Sequence, residues 1–124
     1  MIEIHTNYEK LEIPVLTTLF TLYERTHTII RSLPKFERYT LGEAMERTIL
    51  ETFDLIVRAN TSTKYEKVEL LVRANAKIEI AKLLYRIALN SSMLTTGIYL
   101  ELERILQEAG KMTQGWIKYC RNAK

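Results

Sequence analysis

The stretch from Lys64 to Asn90 constrains this chain most: it holds neither glycine nor proline and repeats its apolar residues at helical spacing. A helix of that length measures about 40 Å, too long for a compact globule and natural in a helix bundle. Thr63 and Glu66 fit a capping box at its start, and Asn90-Ser91-Ser92 is a turn signal at its end. Residues 80–89 read Ile-Ala-Lys-Leu-Leu-Tyr-Arg-Ile-Ala-Leu, eight of ten apolar. At about 100° per residue, Ala74, Ile78, Ala81 and Tyr85 form one stripe, and Leu83 and Ile87 fall on the opposite side. A second apolar side needs a second cover, and the simplest is another subunit. Only Lys82 and Arg86 interrupt this stretch, and four residues apart they share a face. In apolar surroundings such cations snorkel to water, pair with carboxylates across subunits, or bind phosphate.

Three further segments carry helical periodicity. Pro14 predicts the start of a helix over about 14–32, with Val15, Leu16, Leu19, Phe20, Leu22, Tyr23, Ile29 and Ile30 inward and Ser32-Leu33-Pro34 as its end. Thr40-Leu41-Gly42-Glu43 reads as a capping box opening a helix over about 41–60. Its inward stripe is Leu41, Met45, Thr48, Ile49, Phe53, Ile56 and Ala59. The last helix spans about 96–119, starting at Thr95 or Thr96 and anchored by Trp116, with a bend or stop expected near Gly110. Residues 1–13 read as an N-terminal extension of one domain covering 1–124. No stretch alternates as a strand does. Short connections between four long helices predict an all-α, up-down antiparallel four-helix bundle.

Charge is unevenly spread. The net charge is +3. Residues 61–91 hold six Lys/Arg against three acids, and residues 92–124 hold five against three, whereas both earlier quarters are slightly acidic. A basic second half favours an anionic partner, against the plainer reading of a solvated basic face. Tyr39 beside Arg38 and Tyr119 beside Lys118 are the aromatics best placed to stack on bases, while most other aromatics fit the core.

Several chemistries lack their residues. A di-iron bundle needs two Glu-x-x-His motifs, and only Glu24-Arg25-Thr26-His27 fits, since the other histidine, His5, precedes the helices. Phosphate-loop and dinucleotide glycine patterns are absent, and Cys120 has cations rather than a base beside it in sequence. No catalytic residue, metal or cofactor is expected. Apolar runs stay short of the ~18 residues of a membrane span, so no membrane partner is expected. A lone cysteine and no signal-peptide pattern in the first ten residues point to the cytoplasm.

Four stretches together resemble one bacterial four-helix-bundle family. They are the connector Leu33-Pro34-Lys35-Phe36-Glu37-Arg38-Tyr39-Thr40-Leu41-Gly42, the pair Ala59-Asn60, the segment Lys82-Leu83-Leu84-Tyr85-Arg86-Ile87-Ala88, and the ending Gly110-Lys111-Met112-Thr113-Gln114-Gly115-Trp116-Ile117-Lys118. One branch of the family comprises the accessory variability determinant (Avd) proteins of diversity-generating retroelements. The other comprises proteins encoded in intervening sequences of bacterial 23S ribosomal RNA genes, and the resemblance covers both. It implies a ring-like homopentamer with a basic surface. For the Avd branch, the reading preferred here, it implies a non-catalytic accessory that binds the retroelement reverse transcriptase and RNA or DNA during mutagenic cDNA synthesis. The alternative is a structural or interaction bundle of the intervening-sequence branch. Matching cations are carried over as candidate nucleic-acid or polymerase contacts: Lys35 and Arg38 in the connector, Lys82 and Arg86 in the third helix, and Lys111 and Lys118 in the ending. Lys77, on the same third helix, joins them.

Overall fold

The computed structural model describes residues 9–122, with side chains from Pro14 onward, so residues 1–8 of the expected extension, with His5, lie outside the described residues. Among them all regular structure is helical: α1 (Glu9–Arg31), α2 (Lys35–Glu37), a π-helical turn (Arg38–Gly42), α3 (Glu43–Thr61), α4 (Lys64–Asn90) and α5 (Thr96–Asn122). The four long helices form the bundle, with α1 packed on α3 and α5, and α4 packed on α3 and α5. Cross-helix pairs fix the antiparallel sense: Thr18 lies against Met112, while Arg25, further up α1, reaches back to Glu101 in α5. The described helices include none long and apolar enough to cross a membrane.

Two boundaries differ from the sequence reading. Helix α1 begins at Glu9, so Pro14 sits inside it rather than opening it. Proline's fixed φ suits a helix, and near the start its missing N–H forfeits a single backbone bond. The expected capping box at Thr40 is absent. Helix α2 runs through the π turn straight into α3, and Gly42 before α3 is itself helical (φ −59°, ψ −46°). No free helix end exists there to be capped. The Thr40 hydroxyl instead donates to the Phe36 carbonyl (2.9 Å), and Glu43 pairs with Arg47 one turn on (3.2 Å). Gly42 is needed for a different reason: a Cβ there would stand 2.9 Å from Ile30 Cγ2.

Helix α4 starts and stops as its sequence predicts. The Thr63 hydroxyl accepts from the Glu66 N–H, and 27 residues later the chain closes with paired backbone bonds. Met93 N–H donates to Ala88 O (2.9 Å) and Ser92 N–H to Leu89 O (3.0 Å), with Ser92 left-handed at φ 62°. That is a Schellman ending with serine where glycine is usual. Helix α5 starts at Thr96, with the Ile98 N–H donating to the Thr95 hydroxyl (3.2 Å). It does not stop near Gly110, running on to Asn122. Gly110 is buried facing Ile78 of α4, where even a Cβ would make only an ordinary contact (3.8 Å), and the helix passes through it.

The core runs the length of the bundle. Val15, Leu19 and Leu22 of α1 meet Met45, Ile49 and Ile56 of α3, Leu71, Ile78 and Tyr85 of α4, and Leu102, Leu106 and Trp116 of α5. One inward assignment fails, since Phe20 is exposed, whereas Leu16, Tyr23, Leu41 and Phe53 are partly buried against the core. The Tyr85 ring is fully buried, and its hydroxyl shares a hydrogen bond with the buried Thr26 of α1. Burial holds the Tyr85 phenol well above its ordinary pKa.

Candidate nucleic-acid interface

The buried stripe of α4 is Leu71, Ala74, Ile78, Ala81, Tyr85 and Ala88. Directly opposite, the helix exposes Tyr65, Val72, Ile80, Leu83 (65%) and Ile87 (48%). Ile80, Leu83 and Ile87 stand three and four residues apart and form an apolar ridge, with Val72 and Tyr65 further back along the same face. The second side of the helix is therefore present as the sequence indicated, and among the described residues nothing covers it.

Four of the seven candidate cations are engaged inside the subunit, three on α4 and Arg38 in the connector. Lys77 Nζ lies 3.0 Å from Glu51 of α3 and ties the two helices together. Lys82 Nζ lies 3.0 Å from Glu79, one turn back on α4. Arg86 Nε donates to the Tyr99 hydroxyl of α5 (3.0 Å), with its Cζ 5.4 Å from that ring's centroid. This contact raises the Arg86 pKa. The pair Lys82 and Arg86 flanks the apolar ridge rather than forming a bare phosphate strip. Lys35 and Arg38 sit in the connector between α1 and α3, where Arg38 Nη2 donates to the Leu33 carbonyl (3.2 Å).

Lys111 and Lys118 both lie on the exposed side of α5. Their seven-residue spacing continues backward to Arg104, and Arg121 follows three residues after Lys118. Seven residues are about two helical turns, or roughly 10.5 Å. Gln107, Gln114 and one acid, Glu108, share that exposed face, and Arg104 also acts on Glu101 through space. Among the described residues, none of these four cations makes an ion pair. Arg104 and Arg121 were not among the expected contacts, although the heptad spacing from Arg104 to Lys118 was visible in the sequence. The structure thus gathers the candidates into a tied group on α4, a corner group before α3, and an open basic stripe on α5.

Elsewhere the charges are structural. Arg25 and Glu101 form a two-pronged ion pair between α1 and α5, and the Arg25 guanidinium holds the Glu101 pKa below the usual carboxylate range. His27 Nδ1 lies 2.8 Å from Glu46 of α3, so the one Glu-x-x-His match turns its histidine to a helix–helix contact. No cluster of three or more His, Cys, Asp or Glu able to hold a metal occurs among the described residues. Cys120 is buried, and desolvation raises its pKa, which keeps it a neutral thiol.

The class these features define is a four-helix bundle whose outward chemistry is an apolar ridge on one helix and a basic stripe on the next. A family model described as bAvd-like matches residues 15–120, and the chain belongs to that family. No curated protein and no solved structure matches it.

Proposed function

We propose that this chain is the non-catalytic accessory protein of a diversity-generating retroelement, a cytoplasmic protein that binds the element's reverse transcriptase and nucleic acid. Membership of the bAvd-like family carries the reading. The open stripe of Arg104, Lys111, Lys118 and Arg121 supplies its chemistry. Such a stripe attracts phosphates without reading sequence. The apolar ridge of α4 is the surface for a further copy of the chain. Helix α3 supports that choice of partner: it exposes Leu50 and Val57 and carries four acids against two arginines, whereas α4 carries six cations against three acids. Assembly into a ring would repeat the basic stripe, and several weak phosphate contacts would add through effective concentration.

Co-expression with a tagged reverse transcriptase of a diversity-generating retroelement, taken from the gene's own neighbourhood where one is present, tests this. The chain is expected to co-purify with the enzyme and with RNA, and Lys111→Glu with Lys118→Glu is expected to lower the recovered RNA. Recovery of the enzyme alone, or a gene that lies inside a ribosomal RNA gene with no reverse transcriptase nearby, would favour the intervening-sequence branch instead.

A further inference from the structure

The corner between α1 and α3 carries two aromatic rings that the fold does not use. Phe36 is 75% exposed and Tyr39 is 60% exposed, in α2 and the π turn respectively. They stand three residues apart in one continuous helical run, so they project from neighbouring positions. The backbone beneath them is fixed. Arg38 N–H donates to Pro34 O (3.0 Å), the Thr40 hydroxyl to Phe36 O, and Gly42 packs directly on Ile30. A π turn of this kind inside a helix often marks a functional site.

Beside Tyr39 opens a cavity of about 280 Å³. Ile30 and Tyr39 form its apolar walls, Arg31 and Arg38 supply cations, and the His27–Glu46 pair lies along it. Glu43 also lines it but is turned to Arg47. That volume is at the small end for a binding pocket and suits a single ring system. Among the described residues Arg31 and Lys35 meet no carboxylate, and Arg38 donates only to a backbone carbonyl.

Two exposed rings beside Arg31, Lys35 and Arg38, with Glu37 the one acid between the rings, match one chemistry: a base that stacks and phosphates that flank it. A duplex hides its base faces and cannot use the rings, whereas a single strand can splay a base onto them. We infer that the corner built from Phe36, Tyr39, Arg31, Lys35 and Arg38 is a site for an unpaired nucleotide of a single-stranded nucleic acid. The base stacks on Tyr39 at the cavity mouth or on Phe36, and the neighbouring phosphates lie on the cations. This rests on the nucleic-acid reading above and goes beyond it, since the α5 stripe is indifferent to strandedness.

The test is fluorescence anisotropy with a labelled, unstructured 15-nucleotide RNA and with the same RNA annealed to its complement. Phe36→Ala with Tyr39→Ala is expected to weaken single-strand binding roughly tenfold and to change duplex binding less than twofold. Lys111→Gln with Lys118→Gln is expected to weaken both. Phe36→Tyr with Tyr39→Phe keeps the rings and is expected to bind as the parent does, which covers the case of an alanine variant that misfolds. Equal loss on both probes, or no loss on either, overturns the inference. So does unchanged RNA binding with loss of reverse-transcriptase co-purification, which would make the corner a protein contact. Failure of the corner with an intact stripe effect leaves the nucleic-acid reading standing. Failure of both variants to change binding removes that reading too.

Discussion

Replacing Leu83 and Ile87 by glutamine separates association from folding. Both side chains point away from the core, with 65% and 48% of their surface exposed. Fully burying one such side chain is worth about 1.5–3 kcal/mol. Scaled by the exposed fractions, the two together contribute about 2–3 kcal/mol to each interface that covers the ridge. Their loss should weaken association roughly 30- to 150-fold. Glutamine is a good helix former and neither residue packs inward, so each change in subunit folding stability should stay within about 0.5 kcal/mol. Light scattering coupled to size exclusion, over a dilution series, reads the first quantity, and urea unfolding monitored by circular dichroism reads the second. The parent is expected to run as an oligomer and the variant to dissociate at concentrations where the parent does not. A parent that is monomeric throughout, or a variant with unchanged mass, would refute the assignment of this ridge to a second copy.

Further outcomes follow from the interior. Gly42→Ala should destabilise the fold by about 1–3 kcal/mol, because its Cβ would meet Ile30 at 2.9 Å; stabilisation, as helix propensity alone would give, would show that the π turn yields easily. Ser92→Gly should raise stability by up to about 1 kcal/mol, since φ 62° strains serine and not glycine; a lower unfolding midpoint would contradict this. Tyr85→Phe should cost about 1–3 kcal/mol by orphaning the buried Thr26 hydroxyl, and adding Thr26→Val should recover part of that loss. Because burial raises the Tyr85 pKa, its phenol stays neutral in the folded chain while the unfolded chain ionises above about pH 10. Stability is therefore expected to fall as pH climbs past that point, and less so in Tyr85→Phe.

The architecture was legible wherever a local signal had a physical partner. Thr63 announces α4 because its hydroxyl has a free N–H to accept from, and Asn90-Ser91-Ser92 ends it because the chain must reverse there. The two-sided character of α4 was readable from periodicity alone, since stripes half a turn apart need only counting. The corner before α3 misled because Thr-x-x-Glu is a cap only at a helix end, and tertiary contact with Ile30 keeps the chain helical through it. Gly110 misled because one low-propensity residue does not end a long helix that packs along its whole length. The fate of Lys77, Lys82 and Arg86 was not readable, because which acceptor a flexible side chain reaches depends on the neighbouring helix: Glu51 for Lys77 and Tyr99 for Arg86. Phe36 escaped notice for the related reason that exposure of a lone aromatic is a tertiary property.

The salt dependence of RNA binding tests the central claim most directly. Four unpaired cations on α5, each neutralising one phosphate of a single strand, give a log–log slope of at least about −2.8 per subunit. Affinity should then fall roughly 50-fold between 50 and 200 mM salt. Removing Lys111 and Lys118 as glutamines should make the slope shallower by about 1.4 at unchanged helical content. An affinity that is flat with salt, or a slope that ignores both lysines, would contradict the account of α5 as a phosphate-binding face.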